Sequence, residues 1–230
     1  MAVWLLAALA AALKLPVSIR DVSTQDVMPV AKLLRSTFAA DANSVSGLLI
    51  VAENALGLRE RMRDNVMLVA TPELPLDGVD REGSSNLVGF VELLTPAWLA
   101  SDQALAYPDR VREQQQPYIF SLAVEESSRS RGVATALMRA AEARAAEQGH
   151  SILTLEVEET NAAALALYAR LGYELVDRDE GGRMLVGDIF FGQSKRVVKL
   201  SFQKRLSFGG ELTHSTTVDY SEPPCSVTKD

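Results

Sequence analysis

Residues 121–138 read SLAVEESSRSRGVATALM: an alternating apolar stretch, two acids, a polar knot, then the start of a long Ala-rich helix. A strand that passes straight into a helix leaves the first helical N–H groups exposed at the end of the strand. Together with the helix dipole they make a site for an anion. Gly132 and Ala134 let a ligand come close to the backbone there. Arg129 and Arg131 add charge, and Ser127, Ser128, Ser130 and Thr135 add donors. A chain of formal net charge −7 thus carries one local turn that attracts negative charge.

The turn fits neither of the two common nucleotide cradles. A dinucleotide fold asks for G-x-G-x-x-G and an acid about 20 residues on, and the first two glycines are missing. A phosphate-binding loop asks for G-x-x-x-x-G-K-[ST], and no lysine follows Gly132. The acidic balance argues against nucleic acid as a partner. The single cysteine, Cys225, and two distant histidines, His150 and His214, supply no local metal-ligand pattern, so no metal is expected.

The 230 residues suffice for one domain with a substantial core. Three segments are expected: 1–16, apolar; 17–206, the folded domain; and 207–230, a polar and disordered tail. The uncharged run AVWLLAALAAAL is short for a membrane span, so no stable membrane insertion is expected. A docked helix, the remnant of a longer leader and a processed targeting signal all remain open for it.

Periodicity predicts a strand at 17–22 and a helix from about residue 25, with Ser23 and Asp26 as a capping box. Val27, Val30, Ala31, Leu34 and Phe38 form its apolar face. A second helix lies within 44–63, although LLIVA could also be a buried strand. Strands follow at 66–71 and 87–94, paired as a hairpin, then at 117–124 and 152–158. Between the last two lies a helix over about 132–148, stopped by Gly149. A short helix at 161–172 has an Asn cap and a Gly stop. Strands at 173–178 and 196–206 complete the domain. The strand–helix–strand step at 117–158 implies a right-handed parallel crossover. The expected class is therefore α/β: a mixed, twisted sheet of six or seven strands with helices on both faces.

Arg129, Gly132 and Ala134 after a strand, followed by LTLEVEETNAAALALYARLGYELV, resemble the GNAT acyltransferase superfamily. The first motif there is [Q/R]-x-x-G-x-[G/A]; the second is a strand, an Asn, a helix carrying L-Y, then G-[FY]. The resemblance spans about 17–206 and is strongest over 118–176. Within the superfamily it is nearest to ribosomal-protein and N-terminal acetyltransferases and to plastid GNATs of plants. It implies a sheet splayed between its two parallel central strands, with acetyl-CoA as acyl donor. The matching donor-binding positions are Leu122, Ala123 and Val124 on the strand; Arg129, Ser130, Arg131, Gly132, Val133, Ala134 and Thr135 at the turn; and Asn161, Ala163 and Tyr168. A backbone N–H, that of Val124, would hold the thioester oxygen as negative charge develops.

Amide formation also needs a free amine and a protonated leaving thiolate. An ammonium of pKa about 10.4 is almost wholly charged at neutral pH, so a route for its proton is useful. The resemblance makes Tyr168 the general acid and Glu156 the base acting through water. Glu92 is the alternative base, and solvent a third route. Alternation puts Glu156 with Thr154 and Glu158, opposite Leu153, Leu155 and Val157. Tyr118 either lines the acceptor slot or packs in the core. The expected activity is acetyl transfer to a primary amine by direct attack in a ternary complex. The acceptor is expected to be a protein or peptide α-amine and/or lysine. Alternatives are a small amine (polyamine, amino acid or drug) and a non-catalytic acyl-CoA-binding module. A plastid location is implied by the plant relatives, with the cytoplasm as alternative.

Overall fold

The computed structural model describes residues 14–38, 45–73, 86–104, 112–113, 115–186 and 193–207. The apolar run 2–13, the tail from 208 on, and residues 105–111 and 114 of the polar stretch 101–116 lie outside them.

The chain opens with β1 (Val17–Asp21) and a single 3₁₀ turn, Thr24–Asp26, that leads into α1 (Val27–Phe38). The expected capping residues set this corner. The Ser23 N–H and hydroxyl both donate to Asp26 Oδ2, at 2.8 and 2.7 Å. Arg20 donates to both oxygens of Asp26, at 2.6 and 2.8 Å, and holds its carboxyl well below the usual carboxylate range. Val27, Val30, Ala31, Leu33 and Leu34 are buried, but Phe38, expected on that face, is 65% exposed at the last turn. The ambiguous LLIVA stretch is helical, within α2 (Val45–Arg61).

β2 (Val66–Pro72) and β3 (Gly89–Leu94) pair antiparallel as expected. A short α3 (Pro96–Leu99), capped by Thr95, was not foreseen. β4 (Tyr118–Val124), α4 (Val133–Glu147) and β5 (Ile152–Glu158) form the parallel crossover. α5 (Ala162–Arg170) and β6 (Glu174–Asp179) follow. The expected last strand begins only at Lys199, since Arg196 ends a separate hairpin. β7 (Arg183–Val186) and β8 (Gln193–Arg196) make a separate hairpin, and β9 (Lys199–Arg205) then enters the main sheet.

The sheet has seven strands in the order β1-β2-β3-β4-β5-β9-β6, with β4–β5 its parallel pair. α1 and α2 cover one face, over Met67, Val69, Phe90 and Ala123. α4 and α5 cover the other, over Leu68, Val91, Leu93, Ile119, Leu155 and Phe202. α4 lies close to the sheet because residue 89 has no side chain. A Cβ there would meet Leu137 Cδ1 at 2.8 Å and Val133 Cγ1 at 2.9 Å.

Candidate active site

The parallel strands are paired over only two residues each, Tyr118 with Thr154 and Ile119 with Leu155. Both strands run on, β4 to Val124 and β5 to Glu158, so they part after the second rung. A β-bulge marks the same level. Glu92 opposes Ser121 and Leu93 opposes Ile119, so Phe120 is the extra residue on β4. Bulges turn a strand and raise its twist, here where β4 leaves β5.

Beyond the bulge β4 stays on β3. Gly89 lies opposite Val124 and Val91 opposite Leu122, and the Glu125 N–H donates to Val88 O at 2.9 Å. Bonded and non-bonded pairs alternate in an antiparallel ladder. Ser121, Ala123 and Glu125 therefore bond to β3, while Leu122 and Val124 turn their N–H and C=O groups toward the parted edge. The Val124 carbonyl faces that way, since it accepts from Arg129 Nε at 3.2 Å.

At the far end of the gap the chain makes a 3₁₀ turn, Glu126–Ser128, and reaches α4 through Ser130 (φ 60°) and Gly132 (φ 88°). Gly132 supplies the N-cap position with no capping side chain, so the first turn of α4 ends in open N–H groups. The Ser128 hydroxyl and Arg131 Nε are both buried with no hydrogen-bond partner among the described residues. Buried donors without acceptors are costly, so a ligand bringing acceptors fits this loop. The segment before β1 lies against it: Leu15 N donates to Arg131 O at 2.9 Å.

Asn161 caps α5, accepting from the Ala164 N–H at 3.1 Å, and Ala163 is exposed beside it. Tyr168 is 6% exposed in the core under α5. Its ring meets Tyr173 edge-on at 5.8 Å and Phe202 at 6.3 Å. Burial pushes its phenol up to about 12, so it stays protonated throughout the physiological range.

The opposite face of β5 carries a cavity of about 490 Å³, lined among others by Glu113, Tyr118, Thr154, Glu156, Ser201 and Gln203. Glu156 therefore faces a recess. Its side chain is only 5% exposed, and Lys199 Nζ on β9 stands 3.6 Å from its Oε2. Tyr118 both lines this cavity and packs with Leu94 and Trp98. Glu92 is placed differently. It is wholly buried on β3 and clasped by Arg61, Nε to Oε1 at 2.6 Å and Nη2 to Oε2 at 3.2 Å. Burial pushes its carboxyl up, and Arg61 opposes that. Arg61, Lys199 and Phe120 escaped the sequence reading. The two cations lie 31 and 43 residues from the carboxylates they meet, and no local pattern marks them.

The family model described as the acetyltransferase (GNAT) family matches residues 55–173, just over half of the chain. The chain belongs to the GNAT acetyltransferase family. A curated Arabidopsis thaliana protein, GCN5-related N-acetyltransferase 10, chloroplastic, is 30% identical over 115 residues, 50% of this chain and 41% of that protein. The chain thus spans less than half the length of that relative. The solved ribosomal-protein-S18-alanine N-acetyltransferase of Escherichia coli has the same fold (TM-score 0.53, 19% identity, 86% of this chain and 98% of that one). So does Arabidopsis thaliana NAA60, solved in complex with acetyl-CoA (TM-score 0.54, 20% identity, 83% and 99%). The GNAT motifs of this chain, around Gly132 and from Leu153 to Tyr173, both fall inside the matched region.

Proposed function

We propose that the protein is an acetyl-CoA-dependent N-acetyltransferase acting on primary amines of proteins or peptides, at the α-amine and/or lysine. The observation that carries this is the parting of β4 from β5 after Ile119 and Leu155, with the Leu122 and Val124 main-chain groups turned into the gap. An extended thioester arm can pair with those groups as an added strand would. Arg129, Ser130, Arg131, Gly132, Val133, Ala134 and Thr135 would receive its phosphates, and Asn161 and Ala163 would flank the arm.

The amine nitrogen attacks the thioester carbonyl carbon, forming the N–C bond as the C–S bond breaks. The Val124 N–H stabilises the carbonyl oxygen as charge builds on it. Tyr168 gives its proton to the departing sulfur, and Glu156 takes the amine proton through water. Glu156 is preferred to Glu92 as base because it lines the cavity, whereas Glu92 is sealed behind Arg61. The Escherichia coli neighbour, a ribosomal-protein-S18-alanine N-acetyltransferase, supports a protein acceptor. The cavity volume favours a second reading, a small amine, since it falls in the range of about 300–1,000 Å³ usual for small-ligand pockets. The chloroplastic relative supports a plastid location, with the cytoplasm as alternative. Among the described residues no helix is long and apolar enough to cross a membrane.

The test is acetyl transfer from acetyl-CoA to peptides with free or blocked N-termini, with and without lysine, beside a polyamine set. Glu156→Gln should lose most of its rate at pH 7 and regain part of it near pH 10, where about a third of a free lysine-type amine is already neutral. Equal rates for Glu156→Gln and wild type at pH 7 would remove Glu156 from the reaction.

A further inference from the structure

The residues just ahead of β1 are built into the domain at the turn before α4. The Leu15 side chain is 9% exposed and packs in the same apolar cluster as Val133, the first residue of α4. Its N–H donates to Arg131 O at 2.9 Å, and the next residue, Pro16, accepts from the Glu73 N–H at 3.1 Å. These bonds on either side hold position 14 beside Gly132. A Cβ on Gly132 would stand 3.9 Å from Lys14 Cγ, so the stem of this lysine lies next to the N-cap of α4.

The charge there is the reverse of what a helix start favours. The positive end of the helix dipole attracts acids and repels cations. The first turn of α4 holds no acid, while Arg129 and Arg131 lead into it and Lys14 lies beside it. Lys14 is exposed, and among the described residues no carboxylate pairs with it. Ser128 ends the 3₁₀ turn before this helix. It is 1% exposed, and its hydroxyl has no hydrogen-bond partner among the described residues. Three cations and an unused buried donor around an uncapped helix start suit one kind of ligand, a multiply charged anion.

We propose that Lys14 binds the pyrophosphate of the acyl donor, reaching it from outside the GNAT motifs. This rests on the reading above, in which the turn from Arg129 to Thr135 receives the donor's phosphates. Lysine is a compact charge on a flexible stem, suited to a phosphate whose geometry is already set by main-chain N–H groups. The pyrophosphate, rather than the ribose phosphate, is the group expected at the Gly132 amides, and the Lys14 stem lies at Gly132. Leu15 acts through Lys14 and is a positioning residue. The donor site is thus assembled from two distant parts of the chain, residues 14–15 and 129–135.

The experiment is calorimetric titration with acetyl-CoA and with acetyl-dephospho-CoA, which keeps the pyrophosphate and lacks the ribose phosphate. Wild type, Lys14→Ala, Lys14→Glu and Lys14→Arg are compared, with melting temperatures measured in parallel. Lys14→Ala should bind both ligands more weakly by the same factor, about threefold to tenfold for one exposed charge-assisted contact. Lys14→Glu should lose more, and Lys14→Arg should keep most of the affinity. The loss in Lys14→Ala should shrink at high salt, since an exposed charge is screened. All three variants should melt as wild type does, because the side chain is exposed. Wild-type affinity in both Lys14→Ala and Lys14→Glu overturns the proposal. So does a loss confined to acetyl-CoA, which would place Lys14 at the ribose phosphate, or a loss that follows a lowered melting temperature. In each of these cases wild type still binds acetyl-CoA, and the functional reading stands. A wild type that binds neither ligand overturns that reading as well.

Discussion

Ile119 of β4 and Leu155 of β5 form the last rung between the two parallel strands, and each strand runs on past it without the other. A sheet rarely leaves inner edges unpaired, because each buried N–H or C=O without a partner costs free energy. Here the open edges belong to Leu122 and Val124, in line with the Gly132 turn.

Val124→Pro tests that edge with little disturbance to the sheet. The Val124 N–H points away from β3, so proline removes no ladder bond there, although it narrows the choice of φ. The expected result is a melting temperature near that of wild type and a turnover lower by about 10²-fold, the usual loss on removing one donor to a developing oxyanion. Ala123→Pro, which removes a bond to β3, should instead unfold the sheet edge.

Tyr168→Phe should lower kcat by about 10²-fold with acetyl-CoA affinity kept, the lower end for a general acid because thiolates leave well. The same residue has a stability signature. Its folded phenol lies near 12, above its ordinary value of 10, because burial disfavours the phenolate. The folded state therefore holds the proton more tightly than the unfolded chain. Nothing is lost below pH 10, and stability falls as pH rises from 10 toward 12. Tyr173, pushed up by burial and by Glu142, acts in the same direction. Urea melts at pH 8 and pH 11 should show a smaller alkaline loss in Tyr168→Phe. An equal loss contradicts the burial argument.

Asp26→Asn should destabilise the β1–α1 corner by about 1–2 kcal/mol, at the low end for charge-assisted bonds because Arg20 is half exposed. The sign follows from its lowered carboxyl. The stabilisation is present above the usual carboxylate range and is lost as pH falls through and below it. Denaturant melts at pH 7 and pH 3 check this: the two proteins should differ at pH 7, and the difference should be smaller at pH 3.

The parts of this fold that were legible are those written in neighbouring residues. The capping pair Ser23 and Asp26, the Gly132 turn, the Gly149 stop (φ 86°) and the alternation that sends Glu156 away from Leu155 are all local signals. What was missed depends on distant pairing. Strand β9 enters between β5 and β6, and nothing in the order of elements says so. The run beginning at Arg196 looked like one strand, yet Arg196 closes the hairpin with Arg183 and Lys199 opens the next strand. The Phe120 bulge is a mismatch of register between two strands, and neither strand alone carries a sign of it. Arg61 reads as an ordinary basic residue closing a helix until Glu92 is brought beneath it.

The most direct measurement is calorimetric titration of acetyl-CoA into the wild-type protein and into a double variant, Arg129→Glu with Arg131→Glu. Both residues lie in the turn that leads into α4, and reversing their charge places two carboxylates beside the proposed phosphate site. The account predicts saturable one-to-one binding by wild type, and an affinity at least tenfold weaker in the variant at an unchanged melting temperature. Absence of binding by wild type, or equal affinity in the two proteins, would contradict it.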